Sequence, residues 1–139
     1  MERRPIAIGR DGKWYFDGAE MFRLDIVNIL AVNTYRDEDG GYYIRLGEDV
    51  NPLIVEDVPF FAARCEEQED GRMKLIFHDL QEFIITEPLK LALKGDVPYI
   101  TYKWESDTRL SRGVYWRLSK RFRFDNDEVY IMPERNSGE

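Results

Sequence analysis

The apolar patterning of this chain points to an α+β fold, with mostly antiparallel strands and two helices. Three observations carry that reading. Short apolar and aromatic runs are bounded by turn residues such as Asp11-Gly12, Asp17-Gly18 and Gly40-Gly41, the signature of strands joined by tight turns. Two segments, one from Met21 to Ala31 and one beginning near Asp107, carry apolar residues at helical spacing. In both, the helix is followed by an acidic turn and a strand, so the pattern reads as a duplicated helix-turn-strand core.

The elements follow in order. Ile6 to Ile8 opens the chain with an apolar run, and Lys13 to Phe16 reads as a strand between the two Asp-Gly turns. Leu24, Val27, Leu30 and Ala31 place one apolar face on the first helix, widened by Ile26 and Ile29 enough to suggest a nearly buried helix. Arg36 to Gly41 is a charged turn and Tyr42 to Leu46 a strand. Leu53 to Val55 and Pro59 to Cys65 are apolar runs, with Pro59 marking an edge, a bulge or a strand start. Met73 to Phe77 and Glu82 to Thr86 are strands joined around Asp79. Pro88, Gly95 and Pro98 punctuate a predicted loop, and Tyr99 to Trp104 alternates as a strand. Asp107 or Thr108 is the predicted cap of the second helix, whose stripe is Leu110, Val114, Leu118 and Phe122. Asp125 to Glu128 is a turn, Val129 to Met132 a closing strand, and Arg135 to Glu139 a frayed tail.

The 139 residues suffice for one domain or two small packed ones. The predicted division is an N-terminal α+β subdomain, residues 1–50, and a β-rich C-terminal subdomain with a closing helix, residues 51–139. An apolar fraction of 43% beside 34% charged residues is a globular composition. A net charge of −7 repels nucleic-acid phosphates and anionic lipid headgroups, so neither nucleic acid nor membrane is an expected partner. No stretch has the length of a membrane span or a signal peptide. The single cysteine, Cys65, has no intrachain disulfide partner. Together these features predict a cytoplasmic protein.

Catalytic chemistry has little to work with. His78 is the sole histidine, and only Cys65, across a predicted hairpin, could pair with it. A buried thiol and a turn histidine are the plainer reading. The acidic clusters Asp37-Glu38-Asp39 and Asp125-Asn126-Asp127-Glu128 lack calcium-loop spacing and read as solvated turns, so no metal or cofactor is expected. No phosphate-cradling glycine loop occurs. The local exception to the acidic balance is Arg109, Arg112, Arg117, Lys120, Arg121 and Arg123 around the second helix, with Tyr115 and Trp116 interleaved. Arginine with aromatic suits phosphate binding and ring stacking. The same residues also suit pairing with the chain's own acidic turns.

Several segments in register resemble one family. They are Arg10-Asp11-Gly12-Lys13-Trp14 within the first aromatic run, Arg36 to Tyr42, Val55-Glu56-Asp57-Val58-Pro59-Phe60, and Pro98-Tyr99-Ile100 leading to Arg109-Leu110-Ser111-Arg112-Gly113-Val114-Tyr115. The chain is similar to bacterial proteins of the domain-of-unknown-function family numbered 1285 (DUF1285). The resemblance implies a duplicated α+β core, a C-terminal half loosely like pleckstrin-homology domains, and a binding site between the halves. It implies no reaction. The stretch Arg121 to Asn126 departs from the family pattern, which has more glycine and small residues there.

These readings converge on a non-catalytic ligand-binding or regulatory domain for a small phosphorylated or anionic ligand, with a homodimer as a candidate assembly. The predicted ligand-binding residues are Asp57, Arg109, Arg112, Tyr115 and Trp14. Asp57 and Arg109 also suit an internal ion pair holding the halves. The rival classes are a small enzyme using carboxylate and tyrosine acid-base chemistry, and a protein-protein scaffold.

Overall fold

A computed structural model describes residues 5–134, so the expected C-terminal fraying lies outside the described residues. The α+β prediction holds. The chain divides into two compact units, one of residues 1–59 with 79–81 and one of residues 60–78 with 82–139. The division thus falls after Pro59, where sequence alone placed it after residue 50.

The first unit is built from β1 (Ile6–Ile8), β2 (Trp14–Phe16), β3 (Ala19–Glu20), α1 (Leu24–Val32), β4 (Thr34–Arg36), β5 (Tyr42–Leu46) and β6 (Asp49–Val55). Its six-stranded sheet runs β3-β2-β1-β6-β5-β4. β6 keeps residues past 50 in this unit, because it pairs antiparallel with β5 and parallel with β1. Asp17 and Gly18 both have positive φ, 52° and 86°, in the two-residue turn between Phe16 and Ala19, the type I′ geometry whose twist matches a hairpin. Trp14, Ile8, Val27, Leu30, Ala31, Ile44 and Leu53 form the core. The helix is not nearly buried: Ile29 is 53% exposed and Ile26 38%. One stripe packs on the sheet and the other does not.

The second unit contains β7 (Phe60–Glu67), β8 (Met73–Phe77), β9 (Glu82–Ile84), β10 (Leu89–Lys94), β11 (Val97–Ile100), β12 (Thr108–Leu110), α2 (Arg112–Leu118), a 3-10 turn (Ser119–Arg121), β13 (Phe122–Asp125) and β14 (Glu128–Ile131). Its eight strands are ordered β13-β14-β10-β11-β12-β7-β8-β9. β12 lies parallel to β7, with Thr108 opposite Phe60, Arg109 opposite Phe61 and Leu110 opposite Ala62. Phe60, Ala62 and Leu110 therefore face the core, and Phe61 and Arg109 face the other side.

Three sequence expectations change here. The predicted loop around Pro88, Gly95 and Pro98 is the β10–β11 hairpin, turning at Gly95-Asp96 with φ +64° at the glycine. Asp107 and Thr108 do not cap α2. Ser111 does, its hydroxyl accepting from the Val114 N–H at 3.2 Å. The apolar stripe from Leu110 to Phe122 crosses three elements, since Leu110 is in β12 and Phe122 in β13. A spacing of four satisfies a helix face and a strand face alike, because four is also a multiple of the strand period. Each expected helix-turn-strand is consequently a helix followed by a hairpin: α1 by β4–β5, α2 by β13–β14.

Candidate functional site

The basic cluster divides by role once its contacts are known. Arg121 is 4% exposed, bonds Glu67 at 2.9 Å and donates to the Pro133 carbonyl at 3.0 Å. Arg117 donates to the Cys65 carbonyl at 2.6 Å. These two tie the helix segment to β7 and to the stretch after β14. Arg109 and Arg112 instead line a cavity of about 540 Å³ on the second unit, with Phe61, Asp96, Tyr115 and Trp116.

Each wall of the cavity follows from local structure. The β7–β12 register sets Arg109 beside Phe61, and the guanidinium carbon lies 5.0 Å from the ring centroid, within cation–π range. Ser111 fixes the start of α2: its N–H donates to the Ala62 carbonyl at 3.0 Å and its hydroxyl to the Ala63 carbonyl at 3.2 Å. From that anchor Arg112, Tyr115 and Trp116, spaced i, i+3 and i+4, share one side of the helix. Val114 and Leu118 bury the other. Tyr115 meets Trp116 edge-on at 5.4 Å and Phe122 at 5.5 Å. Trp116 stays 60% exposed. Asp96 comes from the β10–β11 turn. Chemically, the cavity offers two permanent cations, three aromatic rings and one carboxylate. Its volume lies within the roughly 300–1,000 Å³ of small-molecule sites.

Of the predicted ligand residues, Arg109, Arg112 and Tyr115 are thus together. Trp14 is not with them: at 1% exposure it is a core residue of the first unit. Asp57 follows β6 in the first unit and lies outside the cavity's lining. Phe61 and Asp96 join the site without having been expected from the sequence. The Gly95-Asp96 dipeptide is a usable hairpin signal for Asp96. Phe61 enters through parallel pairing with a strand far along the chain, which no local pattern reports.

A second cavity of about 520 Å³, on the first unit, is lined by Gly9, Arg10, Asp11, Tyr15 and Glu56. Its polar groups bond to one another. Asp11 accepts from the Tyr15 hydroxyl at 2.7 Å and the Lys13 N–H at 2.9 Å, and Glu56 accepts from the Arg10 N–H at 3.0 Å. Partial burial pushes the Asp11 carboxyl up, but the bonds from Tyr15 and Lys13 outweigh it and hold it below its ordinary value. The bond to Asp11, aided by desolvation, raises Tyr15 to about 12. A general acid made from a carboxylate needs a raised value; Asp11 moves the other way. An Asp11→Asn variant is expected to bring Tyr15 back toward 10, read by ring resonances in a high-pH titration. The sign for stability follows: the Tyr15 contribution is complete below pH 10 and disappears as pH rises through about 12.

Cys65 and His78 do not meet as a pair. Cys65 lies opposite Leu75, whereas the His78 N–H bonds the Phe61 carbonyl. The positions along β7 are thus four residues, roughly 13 Å, apart. Burial raises the Cys65 thiol despite the opposing charges of Arg117 and Arg121, which keeps it protonated. Among the described residues, no group of three His, Cys, Asp or Glu side chains could hold a metal, and no helix is long and apolar enough to cross a membrane.

Two solved structures share this architecture. A DUF1285 family protein from Silicibacter pomeroyi DSS-3 matches with a TM-score of 0.73 and 18% identity, over 96% of this chain and 81% of that one. The chain has the fold of DUF1285 proteins. A DUF1285 family protein from Shewanella baltica OS155 matches with a TM-score of 0.67 and 16% identity, over 84% of this chain and 91% of the other. No family model matches the sequence, and none of the curated proteins compared with it matches.

Proposed function

We propose that this protein is a DUF1285 family member and a non-catalytic ligand-binding domain of regulatory type, and that Arg109 and Arg112 receive a small anionic ligand. Family membership is supported by the sequence segments in register and by the shared fold. The observation that carries the binding reading is the convergence of both arginines with Phe61, Tyr115 and Trp116 on one cavity. Arginine binds phosphate and carboxylate through paired N–H donors, and a concave, partly apolar wall is the usual form of a small-molecule site. The overall charge of −7 makes this cluster stand out, since bulk electrostatics repel anions and only a local cation pair can hold one.

A thermal-shift panel of phosphorylated metabolites, nucleotides and dicarboxylates tests the reading. A ligand at ten times its Kd stabilises by about 1.4 kcal/mol, which raises the melting temperature by about 5 °C in a chain of this length. The expected result is such a shift for at least one anion, lost in Arg112→Glu. Absence of any shift at millimolar concentration, or an equal shift in the variant, would overturn the reading.

A further inference from the structure

We infer that β13 is a self-association edge, along which two copies of this chain pair antiparallel about Phe124 and join their eight-stranded sheets. This goes beyond the anion-binding reading and does not depend on it. Among the described residues β13 (Phe122–Asp125) is the outermost strand at one end of its sheet, paired with β14 alone. An open edge of this kind is a template for a further strand. The other three sheet ends, β3, β4 and β9, have two or three residues each, against four in β13.

The hairpin fixes which groups that edge offers. Asn126 and Asp127, with φ of 50° and 69°, make the two-residue turn between Asp125 and Glu128. At the other end of the hairpin the Met132 N–H donates to the Arg121 carbonyl at 2.9 Å. Backbone groups alternate in direction along an antiparallel strand. Arg123 and Asp125 therefore share the sense of Arg121 and turn their N–H and C=O groups to β14, whereas Phe122 and Phe124 turn theirs to the open side. Side chains alternate between faces in the same way. Phe124 lies on the face of Phe122 and Val129, which pack on the core, yet it is 75% exposed.

Charge selects the partner. Arg123 and Asp125 lie two residues apart on the opposite face, both exposed, and among the described residues no ion pair holds either of them. The neighbouring Glu128 carboxylate is occupied, by Lys90 at 3.7 Å and by the Tyr130 hydroxyl at 2.6 Å. With Phe124 on the two-fold axis of an antiparallel pair, Arg123 faces Asp125 of the second copy, and Asp125 faces its Arg123. Phe124 then meets Phe124 of the second copy and exchanges two N–H···O bonds with it. The charge pairs fall at the non-hydrogen-bonded positions, where side chains approach most closely. An edge of one charge sign repels its own copy; an arginine and an aspartate at this spacing complement it. None of β3, β4 and β9 carries opposite charges two residues apart. The contact uses the same patch on both copies, so it closes as a dimer. A four-residue edge makes that dimer weak and concentration-dependent.

Analytical ultracentrifugation of the intact protein from micromolar to millimolar concentration, combined with a charge swap, tests both the dimer and its register. The expected result is a monomer–dimer equilibrium. Arg123→Asp and Asp125→Arg are each expected to weaken self-association at least about tenfold, because each sets like charges opposite one another at both pairs. An equimolar mixture of the two variants is expected to restore association, since every facing pair is again opposite in sign. Hydrogen exchange adds a second readout: the Phe124 amide is expected to gain protection as the dimer forms, and the Arg123 amide, already bonded to β14, to stay as it is. Both substituted positions are exposed, so the variants are expected to fold normally, which their unfolding midpoints check. A monomer at every concentration would overturn the inference. A dimer that either variant keeps would place the contact on another surface and overturn it. Loss in both variants without recovery in the mixture would overturn the antiparallel register.

Discussion

Phe60→Ala is expected to lower the unfolding free energy of the second unit by about 3–5 kcal/mol, the range for removing a fully buried aromatic ring. Phe60 is 1% exposed. Its ring stacks on Trp104 at 5.9 Å, meets Tyr102 edge-on at 5.3 Å and packs beside Phe77 at 5.9 Å. Three aromatic partners cannot all collapse into the space left by one ring, so a cavity term adds to the lost transfer energy. The variant also loosens the place where β7 and β12 meet, because Phe60 faces Thr108 in that register. Urea unfolding followed by tryptophan emission measures it, with Phe60→Leu expected to lose less. A loss below about 1 kcal/mol would mean that this aromatic cluster is not the core it resembles.

Asp107→Ala is expected to cost about 3 kcal/mol for a different reason, since it removes an acceptor instead of volume. The carboxylate is 1% exposed and accepts from the backbone N–H groups of Tyr102, Lys103 and Trp104 at 2.8, 2.8 and 2.7 Å. The Thr108 hydroxyl adds a fourth bond at 3.0 Å. One carboxyl group thus gathers the whole turn between β11 and β12. Hydrogen bonds to charge are the stronger kind, and the alanine would leave three N–H donors to find water in a half-buried turn. The same substitution frees the start of β12, which carries Arg109. Weakened anion binding is therefore expected alongside the stability loss. Urea midpoints of Asp107→Ala and Asp107→Asn, with binding measured on each, check both effects; an unchanged midpoint for the alanine would contradict the role assigned to this carboxylate.

What the sequence could convey depended on the range of the interactions involved. The Asp17-Gly18 turn and the strands beside it were legible because turn chemistry is local. The β10 strand was not, although Leu89, Leu91 and Leu93 alternate, because prolines at 88 and 98 and glycine at 95 spoke more loudly for a loop. Gly95 was in fact the residue that lets the hairpin turn. Asp107 looked like a helix cap and is a loop anchor. The strand that follows it, β12, is set by pairing with β11 and, in parallel, with β7. A partner as distant in the chain as β7 leaves no local trace. The candidate site shows the same divide. Arg109, Arg112 and Tyr115 announced themselves by residue type in an acidic chain. Phe61 and Asp96 reached them through strand pairing and a hairpin. Trp14 was misplaced for a physical reason: it opens a strand of three residues as a buried core side chain, and residue type alone does not say whether an aromatic faces the core or a ligand.

The proposed anion site on the second unit is tested most directly by amide and guanidinium NMR of the intact protein as inorganic phosphate is added. Saturable shifts at Arg109, Ser111 and Arg112 are expected with phosphate, and lost in Arg112→Glu. Spectra that stay unchanged at millimolar ligand, or saturable shifts centred on residues away from this cavity, would contradict it.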